Sequence, residues 1–144
     1  MTDKAAGPLT GVKVIEMGSL IAGPYAGALL AQFGADVIKI EPPQIGDPLR
    51  KWRKLDGDTS LWWYSQSRNK KSLTLNLKDP DAQAVLRDLV KEADVLVENF
   101  RPGTLEKWDL GWDVLSTINR KLVMLRVSGY GQSGPEASKP GFAA

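Results

Sequence analysis

Three loops rich in glycine, amide and hydroxyl groups hold the residues best suited to chemistry in this sequence. They span residues 18–24 (GSLIAGP), 98–103 (ENFRPG) and 128–134 (SGYGQSG). The second loop combines an amide at Asn99, an aromatic ring at Phe100 and a guanidinium at Arg101. Such groups hydrogen-bond to, stack on and pair with a nucleotide. A capped turn with Phe100 in the core is an equally good interpretation.

The first loop matches neither familiar phosphate-binding pattern. Gly18 and Gly23 do not have the G-x-G-x-x-G spacing of dinucleotide-binding loops, and Pro24 and Tyr25 replace the Lys and hydroxyl residue of a P-loop. A tight turn is therefore the preferred interpretation, although the following helix N-terminus can still face an anion. Without the glycine pattern, Glu41 at the next strand end is interpreted as a solvated charge rather than a ribose ligand.

Composition excludes several kinds of catalytic site. The 144 residues contain no Cys and no His, which excludes a thiolate nucleophile, a Ser-His-Asp triad and the common zinc sites. The chain has 19 basic and 17 acidic residues, a net charge of +2, and 42% hydrophobic residues, which is typical of one globular domain. Charged residues interrupt every apolar run, so no membrane span is predicted.

Alternating strands and helices must position the three loops. The pattern predicts strands at residues 12–16, 36–41, 72–78, 94–98 and 122–127, and helices at residues 24–33, 80–92 and 113–119. Asp79 and Pro80 are typical of a helix start. This order predicts a doubly wound parallel α/β sheet. Because ligands bind beyond the carboxyl ends of parallel strands, we expect the three loops along one rim.

A basic stretch at residues 47–71 indicates an alternative function. It contains seven basic and three acidic residues, interleaved with Trp52, Trp62, Trp63 and Tyr64. This composition is typical of nucleic-acid surfaces, although a solvated surface or a polyphosphate ligand would also explain it. The alternative is a non-catalytic nucleotide- or RNA-binding α/β module.

The order of motifs along almost the whole chain resembles the opening of the family III (CaiB/BaiF) CoA-transferases, including formyl-CoA transferases. The matching segments are residues 8–14 (PLTGVKV), 22–24 (AGP), 30–42 (LAQFGADVIKIEP), 46–48 (GDP), 69–73 (NKKSL), 97–103 (VENFRPG) and 128–135 (SGYGQSGP). The resemblance implies a Rossmann-like fold in which residues 1–144 form the CoA-binding N-terminal part of the large α/β domain. It also implies a small domain outside these residues, and a cytoplasmic, interlocked homodimer without a metal, nucleic acid or membrane partner.

The same resemblance implies that coenzyme A, as an acyl-CoA substrate, binds along the rim, with a small carboxylate as the second substrate. The positions that match CoA contacts in the family are Ile21, Ala22, Leu75, Asn76, Leu77, Lys78, Asn99, Phe100, Arg101, Lys107 and Lys139. Lys107 stands where relatives can place an Arg on a phosphate. Pro42 stands where some formyl-CoA transferases carry an Arg beside the adenine.

The reaction that the resemblance implies proceeds through a mixed anhydride and an aspartyl-CoA thioester on a catalytic Asp. None of Asp36, Asp47 or Asp94 matches that residue, which is expected beyond Ala144. The 144 residues are therefore expected to be a fragment that is inactive alone. Racemases of the same superfamily use a His where Phe142 stands, which favours a transferase.

Overall fold

Short apolar strands joined by helices build a parallel sheet in the computed structural model, which describes residues 7–141. The strands are β1 (Lys13–Glu16), β2 (Asp36–Glu41), β3 (Leu55–Asp56), β4 (Thr59–Ser60), β5 (Lys70–Thr74), β6 (Val95–Glu98) and β7 (Val123–Arg126). The helices are α1 (Ala22–Gln32), α2 (Leu61–Gln66), α3 (Pro80–Val90) and α4 (Trp112–Ile118). Short 3₁₀ helices span Pro48–Lys51 and Glu106–Trp108.

Five of the strands form one sheet in the order β5-β2-β1-β6-β7, and all of its neighbours are parallel. Strands β3 and β4 form a separate antiparallel hairpin. The order runs outward in both directions from β1, so the chain winds both ways from the centre of the sheet. The predicted doubly wound parallel α/β sheet is confirmed.

Apolar cores lie on both faces of the sheet. On one face Val14, Val37 and Val97 pack with Ala31 of α1, and the small residues of that helix allow a close approach. On the other face Ile15 and Leu96 belong to a larger cluster, which includes buried residues of α3 and α4. The faces therefore carry separate helices, and the rim between them stays open to ligands.

Turn chemistry sets several element boundaries. The Asp79 carboxylate accepts a hydrogen bond from the Asp81 N–H at 3.0 Å, and Pro80 begins α3, as predicted. Gly34 follows α1 with φ 103°, a conformation that favours glycine. The predicted strand at residues 72–78 is wrong in position, since β5 ends at Thr74. The alternation continues past that end because Leu75 donates one more backbone bond to the Glu41 carbonyl and Leu77 is buried.

Candidate functional site

The carboxyl ends of β1 and β6 lie side by side where the strand order reverses. In open parallel sheets this is the position of the ligand-binding crevice. The loop after β1 contains residues 17–21, and the loop after β6 contains residues 99–103. These are two of the three loops that the sequence predicts at one rim.

Asn99 joins these two loops directly. The Ser19 N–H donates to Asn99 Oδ1 at 2.7 Å, and Asn99 Nδ2 donates to the Ser19 carbonyl at 2.9 Å. A Cβ on Gly18 or Gly23 would lie 3.0 or 3.1 Å from the same Oδ1, so neither position leaves room for a side chain. Asn99 therefore sets the shape of the first loop.

A cavity of about 450 Å³ opens beside this contact, and we call it the loop cavity. Residues from all three predicted loops line it, including Ala22, Asn99 and Ser128. Phe100, Arg101 and Lys139 also line it. The expected convergence of the three loops is confirmed, and the cavity carries two cationic side chains.

Two further cavities adjoin the first. The apolar cavity, of about 270 Å³, is lined by Leu75, Asn76, Leu77, Lys78, Phe100, Trp108, Pro42 and neighbouring residues. The tryptophan cavity, of about 530 Å³, is lined by Ser19, Leu20, Ile21, Ala22, Trp52, Arg53, Trp62, Asn99 and Gly141. Phe100 lies between the loop and apolar cavities, with its ring 5.5 Å from that of Trp108 in an edge-to-face contact.

The structure thus brings together ten of the eleven positions that match CoA contacts. Lys107 is the exception, because it is exposed on the 3₁₀ helix Glu106–Trp108 and lines none of these three cavities. Lys139 lines the loop cavity and pairs with Glu136. Phe142, which bears on the distinction from racemases, lies outside the described residues.

A network of buried charges on the sheet contacts the first loop. Lys39 is 2% exposed, and its ammonium lies 2.7 Å from Glu16 Oε1 and 2.8 Å from Asp47 Oδ2. It also donates to the Gly18 carbonyl at 2.8 Å. The second oxygen of Glu16 accepts from Lys70 at 2.6 Å, and burial lowers the pKa of Lys70 although Glu16 opposes the shift. This network ties β1, β2 and β5 to the loop.

Asp47 carries the network onto the loop backbone. Its Oδ1 accepts hydrogen bonds from the N–H groups of Leu20 at 2.9 Å and Leu49 at 2.8 Å. Leu20 has φ 61°, a left-handed conformation that costs energy for a residue with a side chain. Asp47 and Asn99 together hold the loop in this conformation from two sides.

Glu41 is a second anchor, and its interpretation as a solvated charge is wrong. It is 1% exposed and accepts two bonds of 2.8 Å from the Arg50 guanidinium, one to each oxygen. Ser72 donates at 2.7 Å and the Asp47 N–H at 2.8 Å. Burial alone would raise the pKa of Glu41, but these hydrogen bonds hold it at about 2. Glu41 is therefore an ionised structural carboxylate.

Sequence reasoning missed this network. The sequence shows Glu16 and Lys39 as charges within apolar runs and places Lys39 and Asp47 in matched family segments, without indicating that these residues contact one another. One signal was present, because Glu16, Lys39 and Glu41 occupy strands whose other residues predict burial. Buried charges occur almost only when they are paired. Charges within buried strands therefore predict partners, although not which partners.

A smaller ion cluster supports the second loop. Arg126 at the end of β7 donates to Glu98 at 2.7 Å and to Glu106 at 2.7 Å. The Arg126 hydrogen bond lowers the pKa of Glu106 despite partial burial. The other oxygen of Glu98 accepts from the Phe100 N–H at 2.7 Å. The backbone that presents Phe100 to the cavities is thus fixed by a charge-assisted bond.

The basic stretch at residues 47–71 is largely neutralised within the fold. Four of its seven cations pair with carboxylates: Arg50 with Glu41, Lys51 with Asp58, Lys70 with Glu16, and Lys71 with Asp36. Arg50 also stacks over the Trp63 ring at 3.9 Å. A nucleic-acid surface needs cations that are free to meet phosphates. The RNA-binding alternative is therefore not favoured.

Neither a metal-binding cluster nor a membrane-spanning helix is found among the described residues. Within residues 7–141 no group of three or more acidic side chains is arranged to hold a metal ion. No helix in that range has the length and apolar character needed to cross a membrane.

Comparison with known proteins identifies relatives over nearly the whole chain. The sequence model of CoA-transferase family III matches residues 9–144. The succinyl-CoA–L-malate CoA-transferase beta subunit of Chloroflexus aurantiacus is 56% identical over 94% of this chain and 34% of its own length. The succinate–glutarate CoA-transferase of Agrobacterium fabrum is 40% identical over 94% of this chain and 36% of its own length. The chain spans about a third of the length of these relatives.

Solved structures agree with the sequence relatives. A CaiB/BaiF family protein from Brucella suis superimposes with a TM-score of 0.87 at 37% identity, over 95% of this chain and 37% of its own. The Rv3272 protein of Mycobacterium tuberculosis gives a TM-score of 0.85 at 41% identity, over 94% of this chain and 38% of its own. A short-chain dehydrogenase/reductase family protein at 14% identity, with a TM-score of 0.53 over 90% of this chain and 62% of its own, shares the fold alone.

Proposed function

The chain belongs to CoA-transferase family III, and on that premise we propose that it supplies the CoA-binding part of a CoA-transferase. The reaction is the transfer of CoA from an acyl-CoA thioester to a short carboxylic acid. The observation that carries this proposal is the convergence of ten matched positions on three adjoining cavities. The parallel sheet brings these loops to one rim, and the matched positions then line cavities where a single ligand can contact them.

The chemistry of the cavities supports a CoA thioester as that ligand. CoA has a flat adenine ring, several phosphate charges and an extended uncharged arm. The leucine, phenylalanine and tryptophan side chains of the apolar cavity suit the adenine. Arg101 and Lys139 in the loop cavity suit phosphate oxygens.

The proposed chemistry is covalent and uses the carboxylate of an Asp expected beyond residue 144. An Asp oxygen attacks the thioester carbonyl, the C–S bond breaks, and a mixed anhydride and CoA thiolate form. The thiolate attacks the Asp carbonyl, which releases the donor acid and leaves an aspartyl-CoA thioester. The acceptor carboxylate then attacks the aspartyl-CoA carbonyl and releases CoA thiolate, which leaves a second mixed anhydride. The thiolate attacks the acceptor carbonyl of this anhydride, so that the new acyl-CoA leaves and the Asp carboxylate is regenerated. Two acyl transfers thus replace one difficult exchange, and backbone N–H groups of the glycine-rich loops can stabilise each oxyanion.

The acceptor and the assembly belong to the same proposal. The named relatives act on small carboxylates such as L-malate and glutarate, so we propose a small carboxylate here. We also propose an interlocked homodimer in the cytoplasm, as the family resemblance implies. Light scattering of the protein as its source produces it gives the subunit count.

CoA binding tests the site directly. Asn99→Ala removes both hydrogen bonds that hold Ser19, so we expect the affinity for CoA to fall about tenfold or more in isothermal titration. Asn119→Ala is the matched control. It removes three side-chain bonds, two donated to the carbonyls of Val90 and Ala93 and one accepted from the Lys121 N–H. Asn119 lines none of the three cavities.

The two variants separate a ligand effect from a general loss of stability. We expect Asn119→Ala to lower stability and leave CoA affinity unchanged. Equal affinity losses in both variants would contradict a CoA site at Asn99. Transfer of CoA from succinyl-CoA to a carboxylate, followed by chromatography of the product thioester, tests the reaction. Failure to exchange CoA with any short carboxylate would refute the proposed activity.

A further inference from the structure

The tryptophan cavity contains one charged side chain among the residues that line it, Arg53. Its other walls are aromatic or aliphatic side chains of the first loop and of residues 52–62, with the polar groups of Ser19 and Asn99. Among residues 7–141, no carboxylate lines the cavity. A lone guanidinium in such surroundings offers a site to a carboxylate that enters from solution.

Arg53 is free for this role, in contrast to its neighbour Arg50. Arg50 uses its guanidinium on both oxygens of Glu41 and on the Trp63 ring. Among residues 7–141, Arg53 makes no ion pair or hydrogen bond through its side chain, and its guanidinium lies 5.7 Å from the centre of the Trp52 ring. The ring attracts the cation but leaves its N–H donors unused.

The backbone at Arg53 adopts a costly conformation. Its φ is 55°, in the left-handed region that side chains other than those of Asn and Asp rarely occupy. Glycine would avoid this cost, yet an arginine stands here. Strain of this kind is often found at ligand sites, where the side chain is needed at that position.

We propose that Arg53 binds the carboxylate that is not exchanged, so that the enzyme prefers a dicarboxylic acid over a monocarboxylic acid. This inference rests on the proposed CoA-transferase function. One carboxylate of the acid must react, whereas the other enters a cavity with apolar walls. Arg53 is exposed, so an entering carboxylate keeps part of its water and gains a charge-assisted hydrogen bond to the guanidinium. A monocarboxylate has no second carboxylate to make this bond.

The phosphates of CoA have other cations available. Arg101 and Lys139 line the loop cavity and not the tryptophan cavity. The two cavities meet at Ala22, Asn99 and Gly141. A thioester that lies in the first cavity can therefore present its acyl group to the second.

Glutarate and valerate provide the matched acceptors, since both have five carbons and only glutarate has a second carboxylate. With succinyl-CoA as donor, we compare kcat/KM for the two acids in the protein as its source produces it. Arg53→Gln should lower the glutarate-to-valerate ratio about 2- to 5-fold, because Arg53 is exposed and water screens its charge. Any effect on the donor cancels in this ratio.

Two further variants and a stability measurement make the test specific. Arg53→Lys should restore part of the ratio, because it keeps the charge and loses the bidentate geometry. Arg68→Gln is the control, since Arg68 is an exposed arginine of the same stretch that bonds to the Tyr64 carbonyl. Gln and Arg carry the same backbone cost at residue 53, so stability should not change.

The outcomes separate the two proposals. An unchanged ratio in Arg53→Gln, or a wild-type preference for valerate, overturns the role of Arg53 and leaves CoA transfer standing. Binding of glutarate is measured independently by titration calorimetry. If no acid accepts CoA but glutarate still binds in an Arg53-dependent manner, only the transferase proposal fails. If glutarate neither binds nor accepts CoA, both fail.

Discussion

Replacing Lys39 with methionine tests whether the buried charge network holds the rim together. Lys39 donates hydrogen bonds to Glu16 and to the Gly18 carbonyl, and its ammonium forms an ion pair with Asp47 Oδ2 at 2.8 Å. Methionine has a similar length and no charge. It would leave two carboxylates in a buried site that has lost one of its cations.

The size of the effect follows from this geometry. Removing one partner of a buried ion pair typically costs about 3–5 kcal/mol of unfolding free energy. Glu16 keeps its bond to Lys70, and Asp47 keeps two backbone donors, so we expect the lower half of that range. With a typical urea dependence for a small protein, the midpoint of unfolding falls by roughly 1–2 M.

Lys13→Met is the matched control because the two lysines differ mainly in burial. Lys13 forms an ion pair of 2.6 Å with Glu92, as short as those of Lys39, but it is 54% exposed. Exposed pairs of this kind contribute little to stability. We therefore expect the control variant to unfold at the wild-type urea concentration.

Urea unfolding followed by tryptophan fluorescence measures both variants. A double variant, Lys39→Met with Asp47→Asn, should cost less than the sum of the single changes, because the two residues share one ion pair. A midpoint for Lys39→Met within error of Lys13→Met would refute the reasoning. It would mean that the buried pair contributes no more than a solvated one.

Two further predictions concern the same rim. The pKa of Glu41, about 2 in the folded protein against an ordinary 4.5, means that its contribution is complete above about pH 4.5 and is lost as the pH falls toward 2. Urea midpoints measured across this range should therefore fall more steeply for the wild type than for Glu41→Gln, and parallel profiles would contradict the assignment. Gly27→Ala should destabilise the protein by about 1–3 kcal/mol, since a Cβ there would lie 2.7 Å from the fixed Glu16 Oε2. At a helix position with free space, Gly→Ala stabilises by up to ~1 kcal/mol. A lower midpoint of thermal unfolding therefore supports the clash with Glu16, and a higher midpoint contradicts it.

Much of the fold was predictable because apolar runs indicate buried strands and helices, and Gly, Pro and Asp residues indicate where these elements begin and end. The strand at residues 36–41 and the start of α3 at Pro80 are found as predicted. The strand predicted at residues 72–78 was misplaced because alternation describes side-chain burial and not backbone pairing. Leu75 and Leu77 continue the apolar face after the sheet bonds have ended.

The charge network could not be assembled from the sequence. Its members are joined across 23 residues for Lys39 and Glu16, and across 54 residues for Lys70 and Glu16. Spacing rules for side-chain pairs cover only three or four residues along a helix. The register of β1 against β2 sets Glu16 beside Lys39, and register is a property of the folded sheet.

The candidate site was predictable from the family resemblance and from the general position of ligands in parallel sheets. The matched CoA positions came from the family resemblance, and the rule for parallel sheets supplied their common rim. The sequence does not show which of the seven cations at residues 47–71 has a free guanidinium or ammonium group. Four of these cations pair with carboxylates in the folded chain, and Arg53 is the one of the remaining three that lines the tryptophan cavity.

The two edges of the sheet differ in their tendency to recruit another strand. Strand β5 begins with Lys70 and Lys71, and charged edge strands resist intermolecular pairing. Strand β7, at the other edge, instead carries Val123 at 61% and Leu125 at 42% exposure on the sheet face that packs against α1. Aggregation of these residues through strand addition would therefore start at β7, and a lysine at position 125 would act as a gatekeeper without touching the ligand rim.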